Sequence, residues 1–295
     1  MTNSRYVVKS PKDVDNSVEV WSSVRLPFEP KGWLLDLRNE IRSAVKKVQG
    51  TDDAMLHAQY VSAQEDFCDV ENVLLYNVGP AAFNHLCRQG LSFERGFAEP
   101  PQVRGSVGMP HYHRYSLTGL TDKPQYWVKG DRLAEWAGIE CPPFRSDNKP
   151  HSFWYAMKQA AVNTIGEMDI PRYFGMELTI NAPRNSHINL PSVIKPLLDG
   201  VICVLHAHDG TGNSVIVGRL AKHLGENESI VEELLMDRRH AVLGTRHLLH
   251  PFRQGIQWNP ADDLCVTAKI LLNDSMEDGI WSLDGEIFAV TPSGK

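Results

Sequence analysis

Hydrophobic residues along the chain recur at two spacings, one typical of helices and the other of strands. Apolar residues three and four positions apart place a stripe on one face of a helix, whereas alternation places one on a face of a strand. The first spacing predicts helices at residues 32–47, 152–165, 191–205, 211–225 and 228–239. The second predicts strands at residues 18–26, 56–63, 173–181, 255–272 and 279–290. Their mixed order indicates an α/β (α+β) fold.

The two halves of the chain show the same order of predicted elements: a helix, a strand, and a polar segment that starts another helix. That last segment is Asp69-Val70-Glu71-Asn72 in the first half and Asn189-Leu190-Pro191-Ser192 in the second, and the two align without gaps. A shared order of elements favours an internal duplication. Residues 206–255 then form a helical insertion in the second half.

Polar, glycine-rich and proline-rich stretches set the expected boundaries. Residues 1–17 are polar and predict a mobile N-terminal arm. A first α/β half is expected at 18–110 and a second at 111–295. The stretch around this boundary also contains a short helix candidate at 131–137.

Composition narrows the classes of function. The chain has 295 residues, 42% of them hydrophobic, which predicts a packed core, and a net charge of −6. A nucleic-acid role therefore requires a local basic face or a partner that supplies one. Five cysteines without CxxC spacing favour reduced thiols in a cytoplasmic protein over a zinc ribbon. No apolar run reaches the length of a membrane helix, so no membrane partner is expected.

Acidic residues near the ends of predicted elements are candidate metal ligands. Asp69 and Glu71 precede a helix, and Asp262-Asp263 precedes a strand. Carboxylates are preferred by Mg²⁺, and a lysine such as Lys195 would offset phosphate charge. The alternative for the first pair is helix capping, and for the second it is a turn.

The second half resembles the RusA-like Holliday junction resolvases over about residues 150–290. Their pattern is a strand, Asp-x-Asp-Asn-x-x-Lys at a helix start, an Asp one turn later, and a strand carrying Asp-Asp. Lys195 and Asp199 fall on the family's lysine and following aspartate, Asp262-Asp263 on the paired acids, and Trp258 on the preceding aromatic position. The resemblance implies a small α/β fold that dimerises and cuts branched DNA with Mg²⁺ held by aspartates.

The chain departs from this pattern at the helix start. The family's two aspartates fall on Asn189 and Pro191, and its asparagine on Ser192. Residues 69–72 of the first half restore the lost acid-x-acid-Asn pattern. Each half is therefore incomplete in a complementary way, and a duplicated fold would place the halves about a pseudo-two-fold axis, like the family's dimer within one chain.

These observations predict an endonuclease that acts on structured or branched DNA with Mg²⁺ (or Mn²⁺). The alternating strand around His111 would present polar side chains to a phosphate or a base; the alternative is an exposed polar strand. The predicted catalytic residues are Asp262, Asp263, Lys195, Asp69 and Glu71; the predicted metal ligands are Asp262, Asp263, Asp69 and Glu71; the predicted nucleic-acid contacts are Lys195, His111, His113 and Arg114.

Two other functions stay open. The first is a degenerate, non-catalytic RusA-like subunit that binds nucleic acid or a protein partner in a larger assembly, or that forms homo-oligomers. The second is a zinc hydrolase built on His206-Ala207-His208-Asp209 and His247-x-x-His250, because imidazoles suit Zn²⁺. The alternative for the first histidine group is a polar helix end, and nothing in the sequence ties the two groups together.

Overall fold

A large mixed sheet forms the centre of the molecule. The computed structural model describes residues 5–65, 67–165, 170–276 and 279–294, and within them one sheet contains ten strands. The strands of the chain are β1 (Tyr6–Lys9), β2 (Val18–Ser22), β3 (Ala54–Val61), β4 (Gly90–Gly96), β5 (His111–Gly119), β6 (Trp127–Glu140), β7 (Asn163–Thr164), β8 (Phe174–Pro183), β9 (Ala207–His208), β10 (Thr245–Arg246), β11 (Leu249–Phe252), β12 (Gly255–Trp258), β13 (Cys265–Met276) and β14 (Ser282–Pro292).

Helices accompany the sheet in both halves, as the α/β class predicts. They are α1 (Trp33–Val45), α2 (Pro150–Lys158), α3 (Leu190–Val204), α4 (Asn213–Leu224) and α5 (Glu228–Met236). A π-helical turn, Asn72–Tyr76, lies between β3 and β4, and a 3₁₀ turn, Asp262–Leu264, leads into β13. Among the described residues, no helix is long and apolar enough to cross a bilayer.

The pairing of the strands repeats on the two sides of the sheet. The order is β1-β2-β5-β3-β4-β13-β8-β14-β6-β7, with β4 and β13 antiparallel at the centre. Going outward from β4, the partners are parallel β3 and then antiparallel β5, β2 and β1. Going outward from β13, they are parallel β8 and then antiparallel β14, β6 and β7. Both sides therefore share one pattern of pairing, and the four inner strands of each side follow the same chain order, whereas the outermost strand comes first in the chain on one side (β1) and after its neighbour on the other (β7).

Three sequence predictions differ from the observed fold. Residues 6–9, expected within a mobile arm, form β1 and pair with β2, with Val8 opposite Val20. The boundary expected at 110/111 falls before β5, yet β5 lies between β2 and β3, among strands of the first half. Residues 131–137 belong to β6 rather than to a helix, because pairing with β14 and burial of Leu133 and Ala134 outweigh local propensity.

Helix α3 is the buried helix that carries part of the site. Pro191 lies in its first turn, where a missing N–H costs nothing, and most of its side chains are buried in the core. Gly200 lets α3 approach α2 closely: a Cβ there would lie 2.7 Å from the Pro150 carbonyl oxygen and 2.8 Å from the Phe153 Cβ. This close contact holds α3, and the polar residues on it, in a fixed position.

Candidate metal centre

Four carboxylates from both halves surround the ammonium group of Lys195. Asp69 and Glu71 lie just before the π-helical turn of the first half. Asp199 follows Lys195 by one turn of α3, and Asp262 opens the 3₁₀ turn before β13. The start of β13 pairs with the end of β4, next to the end of β3, and this brings Asp262 to the edge where the first-half acids lie.

The distances within this cluster are short. The Lys195 Nζ lies 2.5 Å from an Asp262 oxygen, 2.9 Å from Asp199, 3.1 Å from Glu71 and 3.3 Å from Asp69. Oxygens of Asp69, Glu71 and Asp262 all lie within 4.8 Å of one another. We call these five residues the acid cluster.

Burial and mutual repulsion disfavour the ionised form of the carboxyl groups in the acid cluster. Burial, with the neighbouring acids adding to it, raises the pKa of Glu71 to about 7 and that of Asp262 to about 8, although Lys195 acts in the opposite direction. Burial also raises the pKa of Asp199. Burial lowers the pKa of Lys195, but the summed attraction of the carboxylates outweighs it and holds this pKa well above its usual value. The carboxylates outnumber the ammonium, so the cluster favours additional positive charge.

The donor set fits a hard divalent cation. Mg²⁺ and Mn²⁺ prefer carboxylate oxygens, and oxygens of three carboxylates lie within 4.8 Å of one another, close enough for small movements to bring them onto one ion. The Glu71 Oε1 and the Asp199 Oδ1 are buried and lie 3.1 Å and 2.9 Å from the Lys195 Nζ. The ammonium is their partner, so a cation would reach these oxygens only with Lys195 displaced. Asp69, Glu71 and Asp262 would hold the ion, with Asp199 beside them.

Asp263 lies apart from the acid cluster, although the sequence paired it with Asp262. Its side chain lines a cavity of about 300 Å³ together with Arg95, Arg172 and Tyr173. Burial raises its pKa, while Arg246 and Arg95 lower it. Residues 262–264 form a 3₁₀ turn rather than a strand, and successive side chains of a turn point in different directions.

We expect the two neighbouring aspartates to differ in metal binding. Asp262→Asn should weaken Mn²⁺ binding by at least about tenfold, because it removes one charged ligand of the three. Asp263→Asn should change the affinity by less than about threefold, since it removes a nearby charge but no ligand of the ion. Isothermal titration with Mn²⁺ measures both; equal losses in the two variants would place the ion elsewhere.

The predicted nucleic-acid contacts on β5 are mostly buried. His111 and His113 are 6% and 1% exposed, and the His111 Nδ1 lies 2.8 Å from the Tyr60 hydroxyl. The predicted alternation is present, but this face of β5 packs in the core instead of facing solvent. His111 and His113 therefore cannot contact DNA in this fold, and Arg114 is only half-buried.

The buried His113 predicts a loss of stability in acid. Burial, together with the nearby His111, lowers the pKa of His113 to about 3, and its neighbours are the Tyr60 ring and the Tyr115 hydroxyl. The unfolded chain binds a proton near pH 6.5 and the folded chain does not, so stability falls as pH drops below that value. At pH 5 this amounts to about 2 kcal/mol.

Denaturant unfolding at pH 7.5 and pH 5 tests this expectation. His113→Gln should be less stable at pH 7.5 but lose about 2 kcal/mol less on acidification than the parent protein. His187→Gln, at an exposed position, is the control. An unchanged difference between the two pH values in His113→Gln would contradict the prediction.

The sequence did not predict two features of the site, the position of Asp199 among the carboxylates and the cavity beside Asp263. Asp199 was matched to the family pattern but not proposed as a ligand; its spacing of four from Lys195 on a helix was the available signal. The cavity beside Asp263 also contains Phe67, whose surface is 78% exposed, and Arg172, whose side chain is 72% exposed. Their distance in sequence from Asp263 gave no indication that they meet.

Comparison with known proteins does not assign the site. No family model, no curated protein and no solved structure matches the chain.

Proposed function

We propose that the chain is a metal-dependent endonuclease that acts on structured or branched DNA, with Mg²⁺ or Mn²⁺ held by the acid cluster. The observation that carries the proposal is the convergence of Asp69, Glu71 and Asp262 from distant segments to within 4.8 Å. Lys195 brings one positive charge to four buried or half-buried carboxylates, so the cluster has an excess of acidic groups that a divalent cation would offset.

We infer also that the chain contains two RusA-like halves that arose by duplication. The repeated pairing order around β4 and β13 supports this inference, as does the position of residues 69–72 after β3 and of residues 189–192 after β8. One half supplies Asp69 and Glu71, and the other supplies Lys195, Asp199 and Asp262. A single complete centre would thus replace the two centres of a symmetric dimer.

The residues of the acid cluster have distinct roles in phosphodiester hydrolysis. Asp69, Glu71 and Asp262 would hold the ion, which when bound would supply an activated water and stabilise the leaving oxygen. Because the Lys195 Nζ lies within 3.3 Å of all four carboxylates, it has to move when an ion binds, and its flexible stem permits this movement. Displaced toward solvent, the ammonium can pair with a phosphate oxygen and offset its charge.

The cavity beside the cluster supports a nucleic-acid substrate. The Arg172 guanidinium carbon lies 5.1 Å from the centre of the Tyr173 ring, and both residues line the cavity with the exposed Phe67. Aromatic rings stack on unpaired bases, and arginines contact phosphates. Phe67 is two residues from Asp69 and Asp263 adjoins Asp262, so two residues that line the cavity are close in sequence to the acid cluster.

Cleavage of labelled DNA tests the proposal. The purified chain is incubated with a four-way junction, a duplex and a single strand in Mg²⁺, in Mn²⁺ and in EDTA. We expect metal-dependent cutting that is fastest on the junction. Absence of cutting on all three substrates by folded protein, in either metal, would overturn the nuclease proposal.

A non-catalytic subunit is the second candidate, and the position of Lys195 favours it. An ammonium at 2.5–3.3 Å from four carboxylates can itself neutralise the cluster and bind the two halves together. The net charge of −6 also favours binding to a protein partner over binding to DNA alone. In that case the cluster would not bind Mn²⁺, which distinguishes the two functions.

A further inference from the structure

The insertion in the second half is closed at its base by two short strands. β9 pairs in parallel with β10, with His208 opposite Arg246, and the chain between them runs through α4 and α5. This pairing brings the segment that follows β9 next to the segment that follows β10. The two histidine-containing groups, which are unconnected in sequence, therefore meet at one place.

Nitrogen and oxygen donors converge at this base. His208, Asp209 and His247 offer ligand atoms that lie within 4.8 Å of one another, and the His247 Nδ1 lies 3.2 Å from the Asp209 Oδ1. The ring centre of His250 lies 4.1 Å from that of His247. Two imidazoles and one carboxylate, with the His250 ring beside them, match the composition of a zinc site far better than that of a magnesium site.

The orientation of His208 is fixed by the backbone. Its side chain is fully buried, and its Nε2 lies 3.1 Å from the Thr211 carbonyl oxygen, which requires the proton on Nε2. The lone pair is then on Nδ1, the atom nearest the Asp209 carboxylate. An imidazole whose second nitrogen donates to a carbonyl is the usual arrangement of a metal-ligating histidine. The Leu248 N–H donates to the same Nδ1 at 3.3 Å, so an ion bound there would take the place of this hydrogen bond.

We propose that His208, Asp209 and His247, with His250 as the fourth donor, form a structural Zn²⁺ site that closes the base of the insertion. Asp209 and His247 keep about a third of their side-chain surfaces exposed, at 34% and 29%, which leaves a path for the ion. The ion would link residues 208–209 to residues 247–250 and so fix α4 and α5 on the domain. This proposal is independent of the nuclease activity and of the acid cluster.

The test is Zn²⁺ binding by protein stripped with EDTA and dialysed. We expect one Zn²⁺ per chain, a higher melting temperature with Zn²⁺, and a visible Co²⁺ spectrum of tetrahedral type on substitution. His247→Asn and Asp209→Asn, at partly exposed positions, should each weaken Zn²⁺ binding by at least about tenfold and abolish the thermal shift.

Two controls separate this site from other sources of binding. His223→Asn, an exposed histidine of α4 outside the cluster, should bind Zn²⁺ like the parent protein. The double variant Asp69→Asn/Asp262→Asn should also keep one Zn²⁺, since it alters the acid cluster only. Binding that is absent in the parent, that is unchanged in His247→Asn and Asp209→Asn, or that is lost in the acid-cluster variant would overturn the proposal.

Discussion

Replacing Lys195 with methionine should destabilise the metal-free protein by about 3–5 kcal/mol, because it leaves buried carboxylates without their ammonium partner. The Lys195 Nζ lies within 3.3 Å of Asp69, Glu71, Asp199 and Asp262, and Glu71 is only 2% exposed. Methionine keeps most of the side-chain volume, so the loss reports charge rather than a cavity. Denaturant unfolding in EDTA measures it.

Divalent metal should reverse much of this loss. Removal of the ammonium leaves the carboxylates open to an ion, so Mg²⁺ or Mn²⁺ should stabilise Lys195→Met more than the parent protein. Lys222→Met, at an exposed position of α4, is the matched control and should change stability by less than about 0.5 kcal/mol. A stability loss in Lys195→Met that metal does not reduce would favour the non-catalytic subunit.

The second large effect concerns DNA cleavage. Asp69→Asn/Glu71→Gln removes two charged ligands of the proposed ion with almost no change in shape. We expect the rate of junction cleavage to fall by at least about 100-fold, because the ion contributes several kcal/mol to the transition state. Single-turnover cleavage in saturating Mn²⁺ measures the rate of the chemical step without a contribution from product release.

A control with the same chemical changes isolates the role of the first half. Asp52→Asn/Glu29→Gln alters two exposed acids and should cleave at the parental rate. Full activity in Asp69→Asn/Glu71→Gln would show that the first half supplies no part of the centre. Loss of activity in the control as well would indicate that the total charge matters rather than the cluster.

The spacing of hydrophobic residues predicted the helices and strands that have a strong local pattern. It missed a strand that forms only by pairing with a strand distant in sequence. The apolar stripe of α1 and the nearly continuous apolar run of α3 are visible in the sequence, and both helices form. Residues 131–137 look helical locally, but they lie in β6, paired with β14 along most of its length. A long-range pairing of this kind leaves little trace in local propensity.

The candidate site was predictable in its residue types and only partly in its geometry. The acids at 69 and 71, Lys195 and Asp262 were identified from their order along the chain and do meet in one cluster. Asp263 and the histidines of β5 were misplaced, since a 3₁₀ turn and a buried strand face decide where their side chains point. Those directions depend on the packing of the whole sheet, which spacing alone cannot encode.

The most direct measurement is the position of Mn²⁺ in a crystal of the protein soaked with the ion, located by its anomalous scattering. We expect a peak in contact with carboxylate oxygens of Asp69, Glu71 and Asp262, with the Lys195 ammonium displaced from the centre. Absence of a peak there at saturating Mn²⁺, with Lys195 still between the carboxylates, would contradict a metal centre shared by the two halves.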